Sequence, residues 1–93
     1  MATHEVQVVQ SVAFARSYKK LHHNRRLDVD AAVEKIVQDP LVGEPKRGDL
    51  AGTYVYKFKS QTQLVLLAYE FDPKTRYLLL LGSHENFYEQ LKR

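Results

Sequence analysis

Several residue types and segments are missing from this sequence, and each absence narrows the class of protein. No cysteine occurs among the 93 residues, which excludes disulfides and thiolate zinc sites. The longest apolar runs, 64–69 and 77–81, are far shorter than the roughly 20 residues of a membrane helix. The start, Met-Ala-Thr-His-Glu, lacks the basic and apolar segments of a secretory signal. We therefore expect one cytoplasmic domain, residues 1–93, that does not bind a membrane.

Basic residues outnumber acidic ones by 14 to 11, and their distribution is uneven. The stretch from position 16 to 26 contains cations and no acid: Arg16, Lys19, Lys20, Arg25 and Arg26. Such a cluster is typical of a protein that binds a polyanion, although a solvated helix end would have the same composition. His22 and His23 lie within it, but they have too few further ligands nearby for a metal site. We expect no metal and no cofactor.

The first half of the chain predicts a strand followed by two helices. Residues 6–9 are rich in β-branched side chains, as strands are. Ser11 can cap a first helix that extends to about position 23. Apolar residues then recur at the spacing of a second helix with one buried face: Val29, Ala32, Val33, Ile36 and Val37. Asp28 or Asp30 is the expected cap of that helix, and Pro40 ends it.

The second half changes to the period of two that strands require. Aromatic residues at positions 54, 56 and 58 alternate with Val55, Lys57 and Lys59. Residues 64–71 are apolar on both faces, as in a central strand, and a proline turn leads from them into a further strand. The tail from His84 predicts a short helix with Phe87 facing inward.

Together these elements predict an α+β fold in the order β-α-α-β-β-β-α. A helical hairpin should pack on a mostly antiparallel four-stranded sheet, and a short C-terminal helix should follow. Because helices cover one face, the aromatic side chains of the second strand should pack beneath them. The other face of that strand should carry Lys57 and Lys59.

Four stretches resemble motifs of the RelE/ParE superfamily of bacterial toxins, and one of them, residues 54–59, resembles the family's basic second strand. Residues 46–52, Lys-Arg-Gly-Asp-Leu-Ala-Gly, are similar to the family's K-x-L-x-G approach to the sheet. Residues 64–69 resemble its R-L-x-Y strand. Residues 82–88, Gly-Ser-His-Glu-Asn-Phe-Tyr, are similar to the G-x-H-x-x-[LF]-[FY] ending of YafQ-like and some ParE-like members. The likeness extends over almost the whole chain.

The resemblance implies the toxin of a type II toxin–antitoxin module, which binds a cognate antitoxin protein. RelE-like members cut messenger RNA in the ribosomal decoding site, whereas ParE members poison DNA gyrase without nuclease activity. Gln63 stands where RelE-like members carry an arginine opening the third strand, and His84 stands where many carry another. Because ParE toxins commonly lack a histidine after the glycine, His84 favours an mRNA interferase, an endoribonuclease that inhibits translation. A gyrase poison and an inactive antitoxin-binding member remain alternatives.

Metal-free cleavage of RNA by attack of a 2′-hydroxyl needs a base, an acid and cations for the phosphorane. His84 is the candidate base or acid, because histidine exchanges a proton near neutrality. Lys57 and Lys59 are candidates for stabilising the charge, although lysines also protect edge strands from aggregation.

Four further residues complete the predicted site. Tyr88 follows His84 by four residues, so on a helix it would share that residue's face and could stack on a base. Lys46, Arg47 and Gln63 are the candidate contacts to RNA. A packed tyrosine and a solvated turn are the structural alternatives for these positions.

Overall fold

The chain folds into a layered α+β structure with one sheet. The computed structural model describes residues 6–85 and 87–92. In this part of the chain the helices are α1 (Val12–Lys19), α2 (His23–Gln38) and α3 (Phe87–Leu91). The strands are β1 (Gln7–Gln10), β2 (Glu44–Pro45), β3 (Tyr54–Ser60), β4 (Gln63–Asp72) and β5 (Thr75–Ser83), and a 3-10 turn spans Gly48–Leu50.

The sheet order is β1-β5-β4-β3-β2, with β1 parallel to β5 and the other neighbours antiparallel. The predicted α+β class and the order of the long elements are confirmed. The sheet has five strands where four were expected, because the two-residue strand β2 pairs with the start of β3. This extra strand lies in the glycine- and proline-containing segment between α2 and β3.

The two faces of the sheet carry separate apolar cores. On the hairpin face, α1 and α2 bury a cluster that includes Phe14, Val29, Ala32, Ile36, Leu67, Tyr69, Leu78 and Leu81. Tyr54, Tyr56 and Phe58 pack against this cluster, as predicted. On the opposite face, which we call the tail face, α3 covers Val55, Leu66, Ala68 and Leu80 with Phe87. The short tail helix therefore stays in place through one buried aromatic ring.

The two hairpin helices begin differently from each other. The Ser11 hydroxyl accepts a hydrogen bond from the Phe14 amide at 2.9 Å and donates one to the Leu79 carbonyl at 2.7 Å, so the predicted cap of α1 is confirmed. The prediction that Asp28 or Asp30 caps α2 is wrong. Helix α2 begins at His23, and both carboxylates lie inside it.

The two aspartates instead hold α2 against its surroundings. Asp28 accepts a hydrogen bond from the buried Ser60 hydroxyl at 2.8 Å, which ties the helix to the end of β3. Asp30 accepts one from the Tyr18 hydroxyl at 2.8 Å, which ties it to α1. These tertiary contacts, rather than a helix terminus, explain why acids occur at these two positions.

A buried tyrosine fixes the segment that leads into β2. The Tyr69 hydroxyl donates to the Pro40 carbonyl at 2.6 Å and accepts from the Gly43 amide at 2.9 Å. A Cβ atom on Gly43 would lie 2.7 Å from that hydroxyl and 3.1 Å from the backbone of Val55, so no larger residue fits without movement. Burial raises the pKa of Tyr69 above its ordinary value.

Candidate functional site

The predicted site residues on β3 lie on the tail face of the sheet. Lys57 pairs with Leu66, which pairs with Gly82 on β5, and Lys59 pairs with Leu64. Both lysine side chains are exposed, whereas Val55 on the same face is buried beneath α3. Lys57 and Lys59 thus lie on the same face of β3 as Val55, beyond the area that α3 covers.

His84 and Tyr88 approach each other across the start of α3. Their ring centroids are 6.4 Å apart and their planes are nearly perpendicular, at 79°. Tyr88 also lies edge-on to Phe87 at 5.3 Å, and Phe87 is buried in the tail-face core. His84 is exposed. The pair lies close together as predicted, but the prediction that the helix begins at His84 is wrong, because α3 begins at Phe87 and His84 precedes it. The Phe87 ring anchors the pair.

Lys46 reaches the same place from the opposite end of the sheet. Its Nζ lies 5.1 Å from the centre of the Tyr88 ring and 3.2 Å from Oε1 of Glu44. Partial burial, the largest single influence, lowers the pKa of Lys46, but hydrogen bonding to Glu44 and Tyr88 raises it overall. The ammonium group therefore stays charged, and it has a fixed position beside the aromatic ring.

One strand separates His84 from the two lysines. Ser83 pairs with Val65, so His84 follows at the level of Leu64, the partner of Lys59. The sheet order places β4 between β3 and β5, which sets the backbones of Lys59 and His84 about two strand spacings, or about 10 Å, apart. A bound phosphodiester would have to lie over Leu64 to contact both side chains.

Two other predicted RNA contacts lie elsewhere. Gln63 belongs to the hairpin face, where its amide oxygen accepts a hydrogen bond from the Arg25 guanidinium. Arg47 is exposed just before the 3-10 turn, next to Lys46 in the chain. The structure thus brings together His84, Tyr88 and Lys46, sets the strand lysines on the same face, and places Gln63 on the other side of the sheet.

Glu44 is a site residue that the sequence analysis missed. Among residues 6–85 and 87–92, Glu44 is the carboxylate that forms an ion pair with Lys46. The available signal was the spacing Glu44-Pro45-Lys46, since residues two apart in an extended segment share a face. The site-facing residues of β4, Leu64 and Leu66, contribute no charge at all.

Two classes of feature are absent from the described part of the chain. In the ranges 6–85 and 87–92, no cluster of three or more His, Cys, Asp or Glu side chains could hold a metal ion. No helix in the same ranges is long and apolar enough to cross a membrane.

Comparison with known families and solved structures identifies the class of protein. Residues 8–92 match the family described as ParE-like toxin of type II bacterial toxin–antitoxin system. The chain therefore belongs to this family of toxins, whose partner class is an antitoxin. Among curated protein sequences there is no match.

Solved structures of toxins share the fold. A double mutant of the E. coli toxin RelE in the free state has 16% identity and a TM-score of 0.74, over 95% of this chain and 93% of that one. RelBE2, a toxin–antitoxin complex from Mycobacterium tuberculosis, contains a chain with 25% identity and a TM-score of 0.66, over 86% of this chain and 99% of that one. The intact E. coli RelBE complex contains one with 17% identity and a TM-score of 0.69, over 86% and 98%.

Proposed function

We propose that this toxin is a cytoplasmic, ribosome-dependent endoribonuclease that cuts messenger RNA by metal-free attack of the 2′-hydroxyl. The observation that supports it best is the contact of the exposed His84 ring with Tyr88, on the sheet face that also carries Lys46, Lys57 and Lys59. This combination offers a proton-exchanging group, an aromatic surface and several cations to one bound strand.

The proposed roles follow from position. His84 takes the 2′-hydroxyl proton or protonates the 5′-oxygen that leaves. Lys59, at the same level of the sheet, stabilises the phosphorane charge. Tyr88 offers its ring to a base, and Lys46 contacts the backbone beside it while Glu44 holds its ammonium group. Arg47 extends the contact to RNA on the exposed side of that segment. Because Gln63 lies on the hairpin face, it would contact RNA only if the bound RNA passes around the edge of the sheet.

The test is cleavage of a defined message on purified ribosomes, followed by mapping of the new 5′ ends. His84→Ala should reduce the single-turnover rate by about 10²–10⁴-fold, the usual contribution of positioned proton transfer. His23→Ala is the matched control, because that histidine is exposed at the start of α2 and distant in sequence from the site. Equal rates for both variants and the wild-type chain would overturn the assignment of His84.

A second candidate function is poisoning of DNA gyrase. Two observations favour it: the matching family is ParE-like, and the tail face has leucines rather than an arginine on β4. Controlled expression that maps transcript ends and DNA breaks in the same cells separates the two. Cut messages with intact DNA support the nuclease, whereas DNA breaks with intact messages support the gyrase poison. Harmless expression without any antitoxin would indicate an inactive member that only binds an antitoxin.

A further inference from the structure

The outer edge of β1 differs from the opposite edge of the sheet. Strand β2 at that opposite edge is two residues long and contains Glu44 and Pro45, which are typical devices against edge-to-edge pairing. Strand β1 is Gln-Val-Val-Gln, with no charge and no proline. Val8 and Val9 are 42% and 44% exposed. Within residues 6–85 and 87–92, this edge therefore lacks the usual protection against pairing with another strand.

The hydrogen-bonding groups that β1 presents outward follow from its pairing with β5. The amides of Gln7 and Ser11 donate to the carbonyls of Lys74 and Leu78, at 2.8 and 2.9 Å. Because the backbone groups of successive residues point to opposite sides of a strand, the amide and carbonyl of Val9 also face β5. The amides and carbonyls of Val8 and Gln10 therefore point away from the sheet.

We propose that β1 pairs antiparallel with β1 of a second copy of this chain, around a two-fold axis at Val9. In this register Val8 of each copy faces Gln10 of the other, and each such pair exchanges two backbone hydrogen bonds. Val9 faces the partner's Val9 as a non-hydrogen-bonded pair, with Cα atoms about 4.5 Å apart. Both sheets join into one across the axis.

The side chains around the axis fit a second copy. Val9 lies beside Tyr77, which is also partly exposed, because these residues are partners in the β1–β5 register. Pairing would bring two valines and two tyrosines into one apolar cluster on the tail face. No charged side chain of β1 opposes another across the axis, so symmetry brings no repulsion. With one short strand from each copy, the interface falls in the small, weak class below about 1,200 Å².

Disulfide trapping tests the register directly, since the chain has no cysteine of its own. In the Val9→Cys dimer, the distance between the two Cα atoms at position 9 would fall within the 4.4–6.8 Å range that disulfides allow. We expect Val9→Cys to form a covalent dimer rapidly under mild oxidation. Val12→Cys is the control, because Val12 is 70% exposed but lies in α1, three residues from the axis on each copy. Equal cross-linking of both variants would overturn the proposal.

Sedimentation velocity over a range of concentrations tests self-association without cross-linking. The wild-type chain should show a concentration-dependent dimer, and Val9→Lys should weaken it at least about tenfold by placing two ammonium groups face to face. Leu41→Lys, at a position 65% exposed in the segment before β2, should leave it unchanged. Circular dichroism verifies that both variants fold. A wild-type chain that stays monomeric at its highest soluble concentration would overturn the proposal. So would a Val9→Cys thiol that is protected from labelling only when an antitoxin is bound.

Discussion

Replacement of Arg76 should be among the most destabilising substitutions outside the apolar core. This arginine is 4% exposed, and none of its hydrogen-bond partners is a carboxylate. Its Nε donates to the Ile36 carbonyl at 3.1 Å and its Nη2 to the Val37 carbonyl at 2.9 Å. These carbonyls belong to the last turn of α2, where intrahelical donors run out. The guanidinium thus closes the C-terminus of α2 onto the sheet.

The same guanidinium also holds the turn between β4 and β5. Nη1 donates to the Asp72 carbonyl at 2.9 Å and to the Thr75 carbonyl at 3.3 Å, and the Phe71 ring lies 5.8 Å from Cζ. In Arg76→Met the aliphatic stem stays, but the helix carbonyls lose their donors. Leaving a buried acceptor unsatisfied costs about 1–3 kcal/mol. For the two helix carbonyls together, we expect a loss of about 2–6 kcal/mol, against the usual total of about 5–15 kcal/mol.

Urea unfolding followed by circular dichroism measures this loss. Arg76→Lys should fall between the wild-type chain and Arg76→Met, because one ammonium group keeps the charge but cannot reach both carbonyl pairs. Lys74→Met, on the exposed turn two residues before Arg76, is the control and should change the free energy of unfolding by no more than about 0.5 kcal/mol. An Arg76→Met chain as stable as this control would refute the reasoning, since the four contacts would then contribute nothing net.

Four further substitutions test other parts of the structure. Tyr69→Phe should cost about 1–3 kcal/mol in urea unfolding, because the buried Gly43 amide loses its acceptor. The pKa of Tyr69 is raised in the folded chain, so its contribution to the free energy of unfolding is complete below pH 10.0, its ordinary pKa, and is lost as the pH rises through the pKa of the folded state. The stability of Tyr69→Phe should lack this pH-dependent contribution in alkaline unfolding curves. Ser11→Ala should cost about 1 kcal/mol by thermal melting, through the loss of the α1 cap. In the ribosome cleavage assay, Lys59→Met should lower the single-turnover rate more than Lys57→Met, because Lys59 is level with His84; the reverse order would contradict that geometry.

Sequence periodicity was sufficient for the long elements because each of them buries a regular stripe. The alternation at 54–59 and the apolar run of β4 correctly placed aromatic residues under the helices and lysines on the other face. The start of α2 could not be read in this way. The residues from His23 to Leu27 form a helical turn without a side-chain cap, so no local signal marks it. Asp28 and Asp30 instead make tertiary contacts from inside the helix, which the sequence pattern does not reveal.

The site was only partly predictable, because its residues come from three distant segments. The spacing of His84 and Tyr88 is local, and it predicted their contact. Sequence alone could not reveal that β4 separates His84 from Lys59, since strand order depends on long-range pairing. Nor could it reveal that Gln63 turns to Arg25 on the hairpin face. The face on which Gln63 lies depends on the register of pairing, because a shift by one residue would exchange the two faces.

The tail-face site depends on a hydrogen bond made on the other side of the sheet. Tyr69 belongs to the hairpin-face core, yet its hydroxyl fixes Pro40 and Gly43, and the next residue is Glu44. Glu44 in turn holds the Lys46 ammonium group, which lies against Tyr88. A change at Tyr69 should therefore alter the position of Lys46 against Tyr88, and with it the proposed contact to RNA, even in a chain that remains folded. The close approach of Gly43 to the tyrosine also leaves no room for a side chain at position 43, so core packing and site geometry are coupled at this point.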